Sequence, residues 1–521
     1  MAAQHKEENY KWVVLVVVMI GTLMGALDSS IVNVSIPSIM ADFGSSVDDI
    51  EWVITAYMLA FATLMPLTAW FRDRIGHKNL YTISLIVFTV GSLLCGMAWN
   101  LPSLIIARIL QALGGGAITP TAMAMISEAF EPHERGKAIG YWGIGVIVGP
   151  AFGPTLGGYL THNFGWRSIF LVNLPIGIAG FFLAVSLLKS DVPHPSVRKP
   201  FDFWGFIFLS SFLVASLLGL SQGEKEGWTS NYIVFCAVIS FFGFIGFLLV
   251  ESLIPDGIMD IRLFKSSIFA TCSLTAFVRS VALFGGTFLL PLFLEQHMGL
   301  DEIETGLILL PGALVIGVFM PLAGRISDAI GPRVPTLLGL VALTIFMYMY
   351  KDLDPNTSIW HVILPTLIRG FGLGLLIAPV SAAAMNSVPN HKAGMASSIL
   401  NLAQQVGGSV GIALLGAILV HRTHFHISVV ASSARANTSS YFEVFKNLSS
   451  YVHTLGYSHG ESSLISRIML SSNMAQAGSV MAFQDAFLVG AGVVMIAFIP
   501  SFLLPNKATA HKGKHEPVIM E

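Results

Sequence analysis

Met65-Pro66-Leu67-Thr-Ala-Trp-Phe-Arg72-Asp73-Arg74-Ile-Gly76 has a second copy further along the chain: Met320-Pro321-Leu322-Ala-Gly-Arg-Ile-Ser-Asp328-Ala-Ile-Gly331. Pro66 and Pro321, Asp73 and Asp328, and Gly76 and Gly331 are each 255 residues apart. Gly136, Gly149 and Gly153 return as Gly394, Gly407 and Gly411 at a spacing of 258. Such matches at near-constant spacing indicate two copies of one structural unit. Each copy is embedded in long apolar runs, so the unit is one that lives in lipid.

Composition agrees. The 521 residues are 54% hydrophobic and 11% charged, whereas a soluble domain carries roughly 25% charged residues. The net charge of −2 argues against an electrostatic nucleic-acid binder. Cys95, Cys236 and Cys272 all fall in apolar runs, at a spacing that fits no metal or disulfide framework, and read as packing residues.

A membrane helix needs about 20 mostly apolar residues. Fourteen such runs occur, at 12–36, 51–70, 80–99, 103–126, 137–160, 168–188, 203–221, 231–252, 267–293, 303–323, 334–350, 359–385, 395–420 and 482–504. The first is too long for a signal peptide and lacks a cleavage site, so it reads as a retained helix. The fold expected is an all-α polytopic membrane protein: two parallel six-helix repeats plus two inserted helices. Its parts are an N-terminal repeat (1–190), an inserted two-helix region (191–262), a C-terminal repeat (263–504) with a long outer loop at 421–480, and a tail (505–521). Parallel repeats of this kind are a transporter architecture, with the substrate site between the halves near the midplane. With the N-terminus inside, the inner segments hold eighteen Lys and Arg residues and the short outer loops three, which places both termini in the cytoplasm.

Four motifs resemble one family. Leu27-Asp28-Ser-Ser-Ile-Val-Asn33-Val-Ser-Ile-Pro37 resembles the first-helix signature of the drug:proton antiporter branch of the major facilitator superfamily, the EmrB/QacA-like proteins with fourteen spans. The loop from Ala69 to Lys78, with Asp73, Arg74 and Gly76, resembles the superfamily's signature between helices 2 and 3, with Ala69 where glycine is usual and His77 where arginine is usual. Its second copy, with Asp328 and Gly331, keeps the glycine as Gly324. Arg108-Ile-Leu-Gln111-Ala-Leu-Gly114 resembles the fourth-helix motif. The run holding Gly145, Gly149, Pro150, Gly153, Pro154, Gly157 and Gly158 resembles the fifth-helix signature of antiporters. The resemblance implies export over uptake, a supporting role for Arg108 in a proton step and a gating latch at Asp73. In EmrB-type exporters a similar long loop faces a periplasmic adaptor protein leading to an outer-membrane channel. For 421–480 that leaves two readings open, an adaptor contact or a passive cap, and the tract holds segments at 441–448 and 462–474 that fit short helices.

The residues themselves point the same way. Asp28 lies inside an apolar run, where a carboxylate costs several kcal/mol unless neutral, partnered or facing water. It and Arg108 fall at comparable depth at 1.5 Å per residue. A carboxylate between a cation and an apolar surround suits proton uptake and release; a static ion pair between helices 1 and 4 is the plain alternative. At the repeat spacing Asp28 aligns with Leu283, so the acid exists in one half only. Gln111 is one turn from Arg108 and either lines the cavity or bonds its neighbours. Arg279 and Arg369 stand within spans of the second half, cannot be deprotonated in practice, and need partners, water or an anionic substrate group. With Asn33, Gln111 and Gln404 they form the candidate cavity set. The glycines and prolines from Gly145 to Gly158 suggest a kinked, closely packed helix at the interface of the halves. Asp73 fits a latch at a neighbouring helix N-terminus.

No nucleophile elbow, phosphate loop or zinc signature occurs. The expectation is a non-enzymatic, cofactor-free transporter driven by the proton gradient in a bacterial inner membrane. Its partners would be protons, lipid and an amphiphilic small molecule, with no nucleic acid. The rivals are a dedicated exporter of an endogenous amphiphile, such as a fatty acid or lipid-like metabolite, and a non-transporting receptor or scaffold on the same fold.

Overall fold

The structure, a computed structural model, describes residues 2–190, 201–254, 257–389, 392–433 and 439–506. Most of the expected tail at 505–521 and the first ten residues of the inserted region lie outside them. Among the described residues the chain is helical with no strands. The first half comprises α1 (Ala2–Phe43), α2 (Trp52–Leu64), α3 (Thr68–Gly96), α4 (Leu101–Ala129), α5 (Arg135–Phe164) and α6 (Asn173–Leu187). The inserted pair is α7 (Phe203–Glu226) and α8 (Asn231–Leu253). The second half comprises α9 (Ser267–His297), α10 (Glu302–Ile330), α11 (Arg333–Met349), α12 (Ile359–Asn386), α13 (Ala393–Ser433), α14 (Ser439–Thr454) and α15 (His459–Ile496). Local signals set several starts: Asn100 with Ser103, Asp301 with Glu304 and Ser458 with Glu461 each close a reciprocal capping box.

Thirteen stretches of the described residues are long and apolar enough to cross a membrane. One of them, Trp52–Gly96, has 45 residues, about 68 Å of helix against a hydrocarbon core of about 30 Å. It therefore holds two crossings. The break comes at Gly76, whose φ of 79° and ψ of 165° are non-helical. Gly331, its repeat partner, has φ 94° and ψ 164°. Both turns need a backbone conformation that L side chains rarely adopt, which explains why a glycine stands at each.

The repeat is visible in the packing. α1 packs on α5, α2 on α4 and α3 on α4; in the second half α9 packs on α13, α10 on α12 and α11 on α12. Equivalent glycines make equivalent approaches. A Cβ on Gly149 would stand 2.5 Å from Leu27 N, and one on Gly407 2.5 Å from Phe277 O. α5 does lie at the interface of the halves, but through Gly136 and Gly140 against α10 and not through the run from Gly145 to Gly158. Gly145, Gly149, Gly153 and Gly157 face α1 of their own half, against Met19, Leu27, Ser30 and Ile31, and not the other half. A Cβ on Gly158 would come only within van der Waals reach of Val34, Pro154 sits in the same unbroken stretch of α5, and the side chain of Pro150 lies outside those described. Small residues announce a close approach without saying to which helix.

The tract at 421–480 also differs from a loop. α13 runs on to Ser433 and α15 begins at His459. The segment 462–474 is the first part of the last spanning helix, while 441–448 lies in the separate α14. Residues 434–438 lie outside those described. Arg422 and His426 on α13 both reach Asp485 on α15, joining the two helices where they extend past the bundle.

The halves meet at the end that carries Asp73 and Asp328. Thr68 bonds Ser398 at 2.6 Å, Ser397 donates to Pro120 O at 2.9 Å, and Asn386 donates to Pro132 O at 3.0 Å. α5 and α10 come closest of all across the halves, and a Cβ on Gly140 would lie 2.6 Å from Pro321 Cα. Further along, Cβ atoms on Gly25 of α1 or Gly317 of α10 would meet no atom within 4 Å. α7 spans the flank, contacting α2 on one side and α13 on the other.

Gly140→Leu should therefore prevent closure at this end, because the obstructing atom is backbone. Spin labels at His133→Cys and Ala329→Cys should show a longer distance population by double electron–electron resonance. An unchanged distribution would mean that the contact at Gly140 does not limit closure.

Candidate functional site

Asp28 sits in a closed polar cluster between α1, α4 and α6. Arg108 Nη1 donates to its Oδ2 at 2.6 Å. Gln111 Nε2 and Asn173 Nδ2 donate to its Oδ1 at 2.7 and 3.0 Å. Arg108 Nη1 also donates to Gln111 Oε1 at 2.7 Å, and its guanidinium lies over the Tyr57 ring at 4.0 Å. Asn173 continues to Ser92 Oγ at 3.0 Å, which donates to Phe170 O at 2.8 Å. Asp28, Gln111 and Asn173 are 0% exposed and Arg108 is 1% exposed. The acid is thus partnered, with no opening to solvent in this conformation.

Arg108 and Gln111 share a face of α4 because they are three residues apart. Gln111 therefore bonds the carboxylate instead of lining a cavity, a correction to its place in the candidate set. Asn173 and Tyr57 are members that the sequence reading missed. Asn173 had a usable signal, as an amide inside the apolar run 168–188, but which way α6 turns it needed the fold.

The energetics favour a role beyond stability. A buried ion pair recovers little net free energy, and well-packed apolar residues often serve as well or better. Removing one partner costs about 3–5 kcal/mol because the other charge is stranded. Such a pair holds three helices together only while both charges are present.

The remaining candidates are spread out. Gly25, Ser29 and Asn33 follow one another at four-residue spacing on α1, and Ser29 and Asn33 are exposed. Polar residues exposed in mid-span fit a water-filled cleft better than lipid. Gln404 is half-buried on α13. Arg279 on α9 and Arg369 on α12 are buried. Neither belongs to the Asp28 cluster, whose hydrogen bonds involve only first-half residues.

At the joined end, Asp328 of the second half accepts from Gly136 N at 3.0 Å and Lys137 N at 2.8 Å. These are free N–H groups of the first turn of α5, where a carboxylate is favoured by the exposed donors and the helix dipole. The latch geometry expected at Asp73 is thus seen complete at its repeat partner. Asp73 itself bonds Arg72, whose Nη1 is 2.7 Å from where a Cβ of Gly394 would stand, in the first turn of α13. Arg74 lies over Trp70 at 4.2 Å. Outside the spans, the hydrogen bond from Lys11 holds the Glu134 carboxyl below its ordinary range and ties α1 to the start of α5.

A groove of about 760 Å³ runs between α7, α8 and α13, lined by Phe212, Leu220, Trp228, Phe241, Val406 and other apolar side chains. Its two serines, Ser216 and Ser240, bond each other at 2.6 Å.

The sequence profile of the Major Facilitator Superfamily matches residues 18–412. An uncharacterised MFS-type transporter, YhcA of Bacillus subtilis, is 32% identical over 507 residues, covering 95% of this chain and 94% of its own. A multidrug resistance protein B homolog of Mycobacterium tuberculosis is 31% identical over 500 residues, covering 95% and 90%. The solved structure of the human organic anion transporter MFSD10 matches with a TM-score of 0.60 at 12% identity, over 94% of this chain and 99% of that one; at that identity the likeness is one of fold.

Asp28→Asn and Arg108→Met should each lower the melting temperature of the purified protein, since each strands one buried charge. The double variant should lose clearly less than the two single losses together, as expected for directly coupled groups. Additive losses would mean that the pair is not coupled.

Proposed function

The chain belongs to the major facilitator superfamily, and on that premise we propose that it is a proton-coupled multidrug efflux transporter. It would export hydrophobic or amphiphilic small molecules across a bacterial inner membrane by alternating access. The observation that carries this reading is the Asp28 cluster: a buried carboxylate, held by Arg108, Gln111 and Asn173, in one repeat and not the other. The name of the Mycobacterium tuberculosis relative supports the multidrug part.

The excess of Lys and Arg on the side of the joined end supports that end and both termini lying in the cytoplasm. This conformation is then the one closed to the cell. A proton on Asp28 removes the counter-charge of Arg108, so the contacts among α1, α4 and α6 must re-sort. α1 packs along α5, and the first turn of α5 is where Asp328 binds. A shift of α1 therefore reaches the latch through one helix, and a latch made in one state and broken in the other is a common switching element. The groove between the inserted pair and α13 offers an apolar tail a place to lie. The extensions of α13 and α15, with α14, supply a surface past the membrane that an adaptor protein would meet.

A second reading, a dedicated exporter of one endogenous amphiphile, is favoured by the two buried arginines of the second half. A panel of unrelated compounds separates the two, since a single accepted compound supports the dedicated exporter.

Reconstituted vesicles with an imposed pH gradient test the coupling. Asp28→Asn should lower gradient-driven export by at least about tenfold, which is 1.4 kcal/mol or more in coupling, while the protein still inserts and purifies. Export at the full rate would remove Asp28 from the proton path.

A further inference from the structure

Within the spans, Asp28 and Arg108 neutralise one another, but the two buried cations of the second half have no such partner among the described residues. Arg279 is 2% exposed, and its Nε and Nη1 make no hydrogen bond. No ion pair to it exists among the described residues. Arg369 is 6% exposed. Its Nε is unpartnered, and its Nη1 has only a long contact of 3.4 Å to Thr287 Oγ1. The Phe346 ring lies 5.6 Å from its guanidinium carbon. A guanidinium keeps its proton, and a charge left unpaired inside a membrane bundle costs several kcal/mol. At the repeat spacings of 255 and 258, the first-half counterparts are Met24 and Gln111, both uncharged. The excess is therefore a property of this half and not of the shared scaffold.

We propose that the transported amphiphile carries an anionic head group, and that Arg369 and Arg279 bind it. This inference rests on the transport reading above. The chemistry recognised is an oxyanion, a carboxylate, sulfate or phosphate, which a guanidinium engages through paired N–H donors. Thr287 is exposed in mid-span on α9, so Arg369 stands at the edge of the cleft. A head group arriving there replaces one long hydroxyl contact with a charge-assisted one. Arg279 is eight residues nearer the joined end on the same helix as Thr287, about 12 Å along the axis. The two arginines thus form an inner and an outer station, spaced along the direction in which a substrate must travel. A plain lipophilic cation meets repulsion at both.

Protein in nanodiscs of phosphatidylcholine alone, titrated with laurate, dodecyl sulfate and dodecyltrimethylammonium, tests this with one chain length and both signs of charge. Both anions should bind at least about tenfold more tightly than the cation. Arg369→Met and Arg279→Met should each weaken anion binding by about that factor and leave the cation unchanged, with Arg369→Lys keeping part of the affinity. Without ligand, Arg279→Met should raise the melting temperature, because it removes an unpaired buried charge; a structural arginine would give a fall. Equal affinity of the wild type for both signs overturns the proposal without recourse to any variant. So does a loss of anion and cation binding alike in the arginine variants. If phosphatidylglycerol added to the disc abolishes laurate binding and laurate is not carried in vesicles, the site belongs to a lipid head group and the substrate assignment fails. Gradient-driven export of the cation with no anion preference would sink this inference and spare the transport reading. Retained anion preference with no gradient-driven flux would do the reverse.

Discussion

A membrane interior does not tolerate a charge without a partner, and the arrangement of this protein follows from that constraint. Asp28 and Arg108 come from helices 80 residues apart in sequence, and neither can be buried without the other. Satisfying the carboxylate's second oxygen brings in Gln111 and Asn173, which draws α6 to α1 and α4. The cluster is small, but it decides how three of the six helices of the first half are set against each other. Its stability is conditional on charge. One proton is enough to leave Arg108 uncompensated, which is why an arrangement of little net worth as glue is well suited to being a switch.

The joined end is held by a different kind of contact. Asp328 binds the free N–H groups at the start of α5 through backbone, so the contact does not depend on which side chains follow. It forms across the halves and is flanked by hydroxyl and amide bonds such as Thr68 to Ser398 and Asn386 to Pro132. Around them lie buried apolar side chains from both halves, Ile126, Ile139 and Trp142 with Met320, Val380 and Leu400. Opening this end therefore exposes part of a core that both halves share. Rocking would require contacts made elsewhere to offset that exposure.

Much of this was legible in the sequence. The repeat, the fourteen crossings and the Asp28–Arg108 partnership all follow from spacing, because depth in a helix is set by residue number. What was not legible depended on rotation and on neighbours. Gln111 had two open readings, since its distance from Arg108 fixed its face but not what that face met. Asn173 was hidden because the turn before α6 sets its direction. The glycines from Gly145 to Gly158 announced a tight contact whose partner, α1, only the fold identifies. The outer tract read as a loop because its polarity was taken for irregular backbone. In the fold the long α13 and α15 carry polar residues beyond the bilayer, where helix needs no apolar face.

The two halves share a scaffold and divide the charges. The first holds a carboxylate whose partner is built in; the second holds cations that have no ion-pair partner among the described residues. A symmetrical pair of neutral clusters would give the protein nothing to exchange. On the proposed reading, a proton would change the charge of one half and an anionic ligand the charge of the other. Each event removes or supplies a buried charge that the surrounding helices must accommodate. Both halves then respond to the same kind of perturbation, and they meet at the seam where Asp328 binds the start of α5 and Arg72, bonded to Asp73, lies beside the start of α13. Coupling in such a design needs no direct contact between proton and substrate. It needs only that each alters the electrostatic balance of the half that binds it, and that the change reaches the seam.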